Sequence, residues 1–292
     1  MPSHVDGSVV EQRIAETAPL VGEGAVTGWA ALRMHGGTFF DGLESDGGTE
    51  LPVPVVLRGA PRRPRDGIVF SRDRLEEDEV VPLQGIRCTA PRRALFDQMR
   101  AAGDLREAVV AMDMAAAARI TSIARMARYV EGRSRWRGVD QVRRALALAD
   151  EDSRSPQETR MRLVWVLDAK LPRPRVNVPV FTRDGALVGY PDLLDVEAGL
   201  ACEYDGEDHR RARRHSSDVD REAAFRRIGI EVTRATGADV RHPPKLLARM
   251  TEARRRALFL PASRRSWTLE PPEDWTYELP LDVELDLRGE QC

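Results

Sequence analysis

Acidic residues stand in apolar surroundings at two places between residues 190 and 206. Asp192 lies in the stretch PDLL, and Glu203 and Asp205 lie in LACEYDG. Side chains alternate between the two faces of a β-strand, so Glu203 and Asp205 are predicted to share a face. Buried like charges repel one another unless a cation offsets them. The pattern therefore predicts a metal site with Asp192 and Glu203 as its ligands.

Mg²⁺ is the expected ion, with Mn²⁺ as its substitute, because Mg²⁺ keeps several waters and needs few carboxylates. At a phosphodiester such an ion polarises a phosphoryl oxygen and stabilises the leaving oxygen. The alternative interpretation, exposed acidic turns, is preferred for the neighbouring Asp195, Glu197, Glu207 and Asp208.

Glu158 has two interpretations. The sequence SPQE places Ser155 at the N-cap, Pro156 at the first helical position and Glu158 two residues later, which predicts a capping box. On the first hypothesis Glu158 only caps this helix. On the second, its carboxylate points toward the sheet edge and completes the metal site. The residues assigned to catalysis are thus Glu158, Asp192, Glu203, Asp205 and His209.

Basic residues follow the acidic strand directly. The run contains Arg210, Arg211, Arg213 and Arg214, and Arg221 is predicted to lie in the next helix. Next to a phosphate-cleaving centre, these arginines are expected to bind the DNA backbone. His209 is expected to donate to a phosphate oxygen or a bound water. The alternatives are a solvent-facing charged segment and a surface histidine.

The elements that must position these residues can be predicted from the hydrophobic pattern and turn signals. Residues 151–260 are predicted to form one domain in the order αβββαβα. A helix opens at Pro156, and Asp184-Gly185 is a hairpin turn. The remaining predicted elements are the strands Val176–Phe181, Ala186–Leu194, Leu200–Asp205 and Ile230–Arg234, and the helices Asp218–Ile228 and Pro243–Leu258.

The rest of the chain divides into three predicted segments. Residues 1–23 are expected to form a loosely ordered lead-in, and residues 24–150 a domain of mixed β-structure followed by helices. Residues 261–292 hold 8 acidic and 3 basic residues and are expected to be an extended tail on a domain surface. The predicted helices of the front domain include Asp104–Ala117 and Val139–Ala149. The fold class is therefore α/β, of the α+β type.

Several classes of protein are disfavoured. The motifs GxGxxG, Walker A, GxSxG and HExxH are absent from the sequence. The cysteines Cys88, Cys202 and Cys292 form no CxxC pair, which favours a reducing cytosol over a disulfide framework. No signal-peptide pattern and no uncharged run of about 18 apolar residues occurs. A cytoplasmic protein without a membrane partner is the expectation.

The second domain resembles the nuclease-like domains related to very-short-patch-repair (Vsr) endonucleases. The resemblance is carried by Ser155-Pro156-x-Glu158, Pro191-Asp192, Glu203-x-Asp205-Gly206-x-x-His209, Asp218-x-x-Arg221 and Gly229-x-x-Val232-x-Arg234. It implies the αβββαβ core of the PD-(D/E)XK superfamily, a restriction-endonuclease-like fold. It also implies Asp192 and Glu203 as metal ligands and Glu158 as the helix carboxylate. The superfamily lysine falls at Asp205, and Vsr-like members that lack it use histidines, which points to His209.

The front half resembles the AbiEi-type antitoxins of type IV toxin–antitoxin systems. The residues that carry this resemblance are VTGWAALRMHG at 26–36, GIVFS at 67–71 and GIRCTAPRRALFD at 85–97. No counterpart of the winged helix that opens those antitoxins precedes Val26. The resemblance to these antitoxins implies a cognate toxin or another defence-system protein as a partner, in addition to DNA.

Two functions remain open from the sequence. The first is a metal-dependent DNA endonuclease or nickase acting in phage defence or DNA repair. The alternative is a catalytically inactive, antitoxin-like regulator that binds nucleic acid. A third hypothesis, a purely structural interaction protein, gives no reason for acidic residues at these strand positions.

Overall fold

The computed structural model describes residues 9–59, 62–206, 221–276 and 278–289. The chain forms two compact units. The first comprises Met1–Glu151 together with Pro280–Cys292, and the second comprises Asp152–Leu279. Each unit combines α-helices with β-strands, so the predicted mixed α/β class is confirmed at this level.

The first unit is built on a five-stranded mixed sheet with the order β3-β2-β1-β5-β4. Its strands are β1 (Ala25–Val26), β2 (Val53–Val56), β3 (Ile68–Ser71), β4 (Val80–Leu83) and β5 (Ile86–Thr89). The pairs β1–β2 and β4–β5 are antiparallel, whereas β2–β3 and β1–β5 are parallel. Strands β2 and β5 are largely buried and rich in β-branched residues, which suits a packed sheet.

Helices complete the first unit, and most of its core lies among them. The predicted helix at Asp104–Ala117 begins as its cap signal indicates, because the Asp104 side chain accepts the amide N–H of Glu107 at 2.9 Å. The helices are α1 (Val10–Ala15), α2 (Ala18–Val21), α3 (Gly28–Met34), α4 (Pro91–Ala101), α5 (Leu105–Ala117), α6 (Ile123–Glu131), α7 (Val139–Leu148) and, from the end of the chain, α12 (Leu281–Leu287).

A buried ion-pair network lies at the centre of the first unit. Arg93 on α4 is fully buried, and its guanidinium donates to Asp97 at 2.9 Å and to Glu79 at 2.7 Å. Thr27 donates to the same Asp97 oxygen at 2.7 Å. The Trp136 ring centroid lies 4.8 Å from the Arg93 guanidinium carbon. Because each buried charge has a partner of opposite sign, the network compensates for the desolvation of its groups.

Both ends of the described chain are more ordered than the sequence predicts. The lead-in contains α1 and α2, since the apolar side chains of Ile14 and Val21 find buried positions. In the tail, Leu281 and Leu285 of α12 are buried against the first unit. The acidic residues of α12 face the basic corner at the start of α6. Here Asp282 accepts the Ser122 hydroxyl at 2.6 Å.

The second unit contains a four-stranded sheet of order β11-β10-β9-β6 and a three-stranded sheet of order β12-β7-β8. In the larger sheet β10 and β11 run parallel, and the other neighbours run antiparallel. The strands are β6 (Arg175–Val176), β7 (Val180–Thr182), β8 (Leu187–Gly189), β9 (Leu193–Asp195), β10 (Leu200–Asp205), β11 (Glu231–Thr236) and β12 (Trp267–Thr268).

Helices cover both faces of the larger sheet. Cys202 of β10 packs in a cluster with Met161 of α8 and Met250 of α11. Its neighbour Ala201 faces the opposite way, in a cluster with Phe225 of α9 and Trp267. The helices are α8 (Pro156–Leu163), which continues as a π-helical segment (Val164–Asp168), α9 (221–227), α10 (Gly237–Arg241) and α11 (Pro244–Arg256).

Two predicted strands are divided in the structure. The stretch predicted as Val176–Phe181 contributes β6 to one sheet and β7 to the other, with Asn177 at a left-handed φ of 46° between them. The stretch predicted as Ala186–Leu194 likewise divides into β8 and β9. It breaks near Pro191, which has no N–H for a sheet hydrogen bond.

The segment after α11 is also divided. Trp267 and Thr268 form β12, which pairs antiparallel with β7. Trp275 packs edge-to-face on Phe181 with ring centroids 4.8 Å apart. This part of the predicted tail therefore belongs to the second unit, whereas α12 belongs to the first. Within the described residues, no helix has the length and apolarity to cross a membrane.

Candidate active site

The register of β9 and β10 brings Asp192 next to Glu203. Leu193 pairs with Cys202, so one further step along the antiparallel strands sets Asp192 opposite Glu203. The amide N–H of Tyr204 donates to Oδ2 of Asp192 at 2.6 Å, which holds the carboxylate at this strand end. Glu203 falls on the sheet face of Ala201, whereas Asp192 immediately precedes β9. The negative charge of Glu203 raises the pKa of Asp192, so the two carboxylates lie close together at this end of the larger sheet.

Glu203 is a buried carboxylate with a hydrogen-bond partner for only one of its oxygens among the described residues. Its residue exposure is 6%, and Oε2 accepts from Nη2 of Arg221 at 2.8 Å. Oε1 is buried and has no hydrogen-bond partner among the described residues. Burial raises the pKa of Glu203 above its usual value, although the Arg221 guanidinium and the backbone N–H of Asp192 oppose this rise. A buried acceptor without a donor costs free energy, so Oε1 is available for a ligand.

The surroundings of Asp192 also raise its pKa. Burial raises the pKa of Asp192 to about 8, and the negative charges of Glu203 and Glu158 add to the rise. The Tyr204 amide and the Arg221 guanidinium oppose it. This rise in pKa favours the protonated form of Asp192, because a second negative charge beside the buried Glu203 is unfavourable.

Glu158 combines the two roles that its sequence position allows. Its amide N–H donates to Ser155 Oγ at 3.2 Å, and its carboxylate accepts from the Ser155 hydroxyl at 2.9 Å, so it caps α8. The same carboxylate accepts from Asn177 Nδ2 at 3.0 Å, and its charge acts on Asp192. Glu158 thus caps the helix and also borders the carboxylate pair.

Asn177 is a site residue that the sequence analysis missed. Its side-chain amide donates to Glu158 and to the Asp152 carbonyl at 2.8 Å, and its backbone N–H donates to the Asp192 carbonyl at 3.2 Å. It therefore ties the start of α8 to the segment that carries Asp192. The signal that could have found it is an asparagine inside a strand-like run, because asparagine tolerates left-handed φ better than its β-branched neighbours.

The other predicted site residues are placed less centrally, or fall outside the described residues. Asp205 is exposed at the end of β10, in register with Thr236. The interpretation of Asp195 as an exposed turn acid is wrong, because Asp195 is buried in β9, where it accepts the Ala198 N–H and pairs with Arg254 at 2.8 Å. Arg221, predicted to bind DNA, pairs with Glu203 and keeps 41% of its side chain exposed. The predicted residues His209, Arg210, Arg211, Arg213 and Arg214 lie outside the described residues.

The carboxylate pair fits a divalent metal ion with few protein ligands. Asp192 and Glu203 could supply the hard oxygen ligands that Mg²⁺ prefers, and Oε1 of Glu203 has no hydrogen-bond partner in the described part of the chain. In the described ranges, no group of three or more histidine, cysteine, aspartate or glutamate residues could hold a metal ion. A metal ion at this pair would therefore have two carboxylate ligands from the described residues.

The sequence and the fold were also compared with those of known proteins. No model of a protein family matches this chain, and no curated protein or solved structure matches it either.

Proposed function

We propose that the second unit is a metal-dependent DNA endonuclease or nickase that hydrolyses phosphodiester bonds. The observation that carries the proposal is the half-buried Asp192 beside the buried Glu203, whose Oε1 has no hydrogen-bond partner among the described residues. Buried carboxylates without a cation are costly, and such arrangements are found at functional sites. Mg²⁺ or Mn²⁺ is the ion proposed to bind the pair.

The order of elements in the second unit supports the proposal. Along the chain, α8, β6, β9, β10, α9 and β11 follow one another as helix, three strands, helix and strand. The three strands form an antiparallel meander, and β11 adds parallel to β10. This order agrees with the αβββαβ core expected from the resemblance to PD-(D/E)XK nucleases. The inserted hairpin β7–β8 lies in the smaller sheet.

Each residue of the site has a distinct part in the proposed reaction. Asp192 and Glu203 would hold the divalent ion, which supplies Lewis-acid polarisation of the phosphoryl oxygen. Tyr204 fixes the Asp192 carboxylate through its amide, and Asn177 fixes Glu158 beside the pair. Glu158 adds negative charge that favours a bound cation. His209 stays the predicted donor to a phosphate oxygen or water.

Cleavage of supercoiled plasmid and of single-stranded DNA with Mg²⁺ or Mn²⁺ tests the proposal. Asp192→Asn and Glu203→Gln keep the side-chain shapes but remove the charges that would bind the ion. We expect each to slow cleavage by more than about 100-fold. Glu197→Gln is the matched control, because Glu197 is an acid in an exposed turn of the same unit. Equal cleavage by all four proteins would contradict the nuclease proposal.

The alternative function is a catalytically inactive, antitoxin-like regulator that binds nucleic acid. One observation favours it: Arg221 already offsets the charge of Glu203 without a metal ion. This alternative predicts DNA binding that weakens with salt, with no cleavage in either Mg²⁺ or Mn²⁺. It also predicts a protein partner, a cognate toxin, that copurifies with the chain.

A further inference from the structure

Arg221 lies between the buried carboxylate of Glu203 and the protein surface. It stands in α9, and its Nη2 atom lies 2.8 Å from Oε2 of Glu203. The Glu203 side chain is only 8% exposed, whereas that of Arg221 is 41% exposed. The guanidinium therefore contacts the buried acid and also reaches the surface from which a nucleic acid would approach.

Two carboxylates interact with this guanidinium, those of Glu203 and Asp192. Arg221 opposes the rise in pKa of both Asp192 and Glu203, so its positive charge acts on both carboxylates. A phosphodiester would bring another negative charge to the same place, and hydrolysis increases the charge on its non-bridging oxygens. Guanidinium groups suit this task, because their planar N–H fork matches two oxygen acceptors of a carboxylate or a phosphate.

We propose that Arg221 is a catalytic residue of the nuclease reaction, one that binds a non-bridging oxygen of the scissile phosphate while it contacts Glu203. This inference rests on the proposed function. In the reaction the oxygen of water bonds to phosphorus and one ester P–O bond breaks. The proton lost by the water balances the negative charge on the leaving oxygen. Arg221 stabilises the charge that accumulates on the phosphoryl oxygens between these events.

The same contact makes Arg221 a competitor of the metal ion. Its guanidinium donates a hydrogen bond to Oε2 of Glu203, and its positive charge repels a cation that approaches Asp192 and Glu203. Removal of the guanidinium should therefore strengthen metal binding and at the same time weaken catalysis. A purely structural role predicts something different, because loss of folding would weaken both.

The test compares Arg221→Gln, Arg221→Lys and the control Arg226→Gln in the full chain. Arg226 lies in the same helix, is exposed and pairs with Glu222 rather than with the site. Mn²⁺ alone is titrated by calorimetry, single-turnover cleavage is timed at saturating Mn²⁺, and thermal unfolding is recorded for each variant. For Arg221→Gln we expect Mn²⁺ affinity to rise about threefold or more. We expect its cleavage rate to fall by about 100-fold.

Arg221→Lys keeps the charge, so its cleavage rate is expected to recover to within about tenfold of the wild type. Arg226→Gln should match the wild type in both measurements. Two results would overturn the role of Arg221 while the nuclease function stands. The first is cleavage by Arg221→Gln at the wild-type rate. The second is a joint loss of Mn²⁺ affinity and cleavage in Arg221→Gln, together with a lowered unfolding temperature. Absence of cleavage by the wild type and by Arg226→Gln would instead overturn the proposed function, and the role of Arg221 with it.

Discussion

At the scale of single residues, the two units use buried charge in different ways. In the first unit, Arg93 compensates Glu79 and Asp97 directly, and the tyrosine hydroxyl of Tyr129 donates to Glu79 at 2.5 Å. In the second, Glu203 has a partner for one oxygen and none among the described residues for the other. In the first arrangement each carboxylate has an arginine partner, and the atom without a hydrogen-bond partner among the described residues is a donor, Nη2 of Arg93. In the second it is a carboxylate oxygen, whose negative charge the proposed cation would offset.

The buried ion-pair network of the first unit predicts a large loss of stability for Arg93→Met. Methionine retains much of the side-chain volume but leaves the carboxylates of Glu79 and Asp97 without their main buried counter-charge. We expect the free energy of unfolding to fall by about 3–5 kcal/mol. Urea denaturation followed by circular dichroism measures the change.

Arg143→Met is the matched control for this substitution. Arg143 pairs with Asp140 at 3.4 Å on the surface of the same unit, and both side chains are exposed. We expect this variant to change the free energy of unfolding by less than about 0.5 kcal/mol. Comparable losses in the two variants would show that the buried network contributes no more than a surface ion pair.

At the scale of elements, local signals predict helix starts well and strand ends poorly. Ser155 and Asp104 each accept the amide N–H of the residue three positions later, as the cap patterns indicate. These signals are local because a cap involves one turn of chain. The division of two predicted strands between two sheets depends on tertiary pairing, which alternation alone cannot reveal.

The placement of the candidate site follows the same distinction. The proximity of Asp192 and Glu203 could be predicted, because a meander with a short turn fixes the register of neighbouring strands. The contacts of Asn177 could not, because they depend on how the start of α8 meets the loop after β6. The Arg221–Glu203 pair was also missed, since it depends on how α9, the helix between the parallel strands β10 and β11, packs on the sheet.

Asn177→Gly tests whether this loop positions the site. Glycine accepts the left-handed backbone at residue 177 but removes the amide that holds Glu158. We expect cleavage to slow by about 10-fold to 100-fold, as for residues that orient metal ligands. Plasmid cleavage across a Mn²⁺ series gives the rate and the apparent metal affinity.

Thr182→Gly serves as a control for the loss of a side-chain hydrogen bond elsewhere in the second unit. Thr182 donates to the Ala186 carbonyl at 3.2 Å in the β7–β8 hairpin, away from the carboxylates. We expect its cleavage rate to equal that of the wild type. A similar slowing in both variants would assign the effect to general loosening of the unit.

At the scale of the whole molecule, the first unit is built from two separated parts of the chain. Helix α12 contributes the buried side chains of Leu281 and Leu285. Arg125 of α6 donates to Asp282 at 3.2 Å and to Asp286 at 2.5 Å. The unit therefore combines apolar burial with ion pairs to bind its last helix.

A chain that ends after Leu279 should have a less stable first unit. It loses the burial of two leucine side chains, and the arginines of α6 lose their acidic partners. We expect a decrease in the free energy of unfolding of about 3 kcal/mol, from about 1.5 kcal/mol or more for each leucine. Chemical denaturation of the truncated and full chains measures the difference.

The control is a chain that ends after Arg288, because it keeps the whole of α12. Its unfolding midpoint should equal that of the full chain. If the chain that ends after Leu279 has the same free energy of unfolding as the full chain, the contacts of α12 do not stabilise the first unit.

The separation of α12 from the rest of its unit has a consequence for biosynthesis. Translation proceeds from the amino terminus, so the ribosome makes all of Asp152–Leu279 before it adds the helix that completes the earlier unit. Until then, the buried positions of Leu281 and Leu285 are vacant. A nascent chain that stops early would therefore present an incomplete first unit to cellular proteases, even where its second unit is already finished.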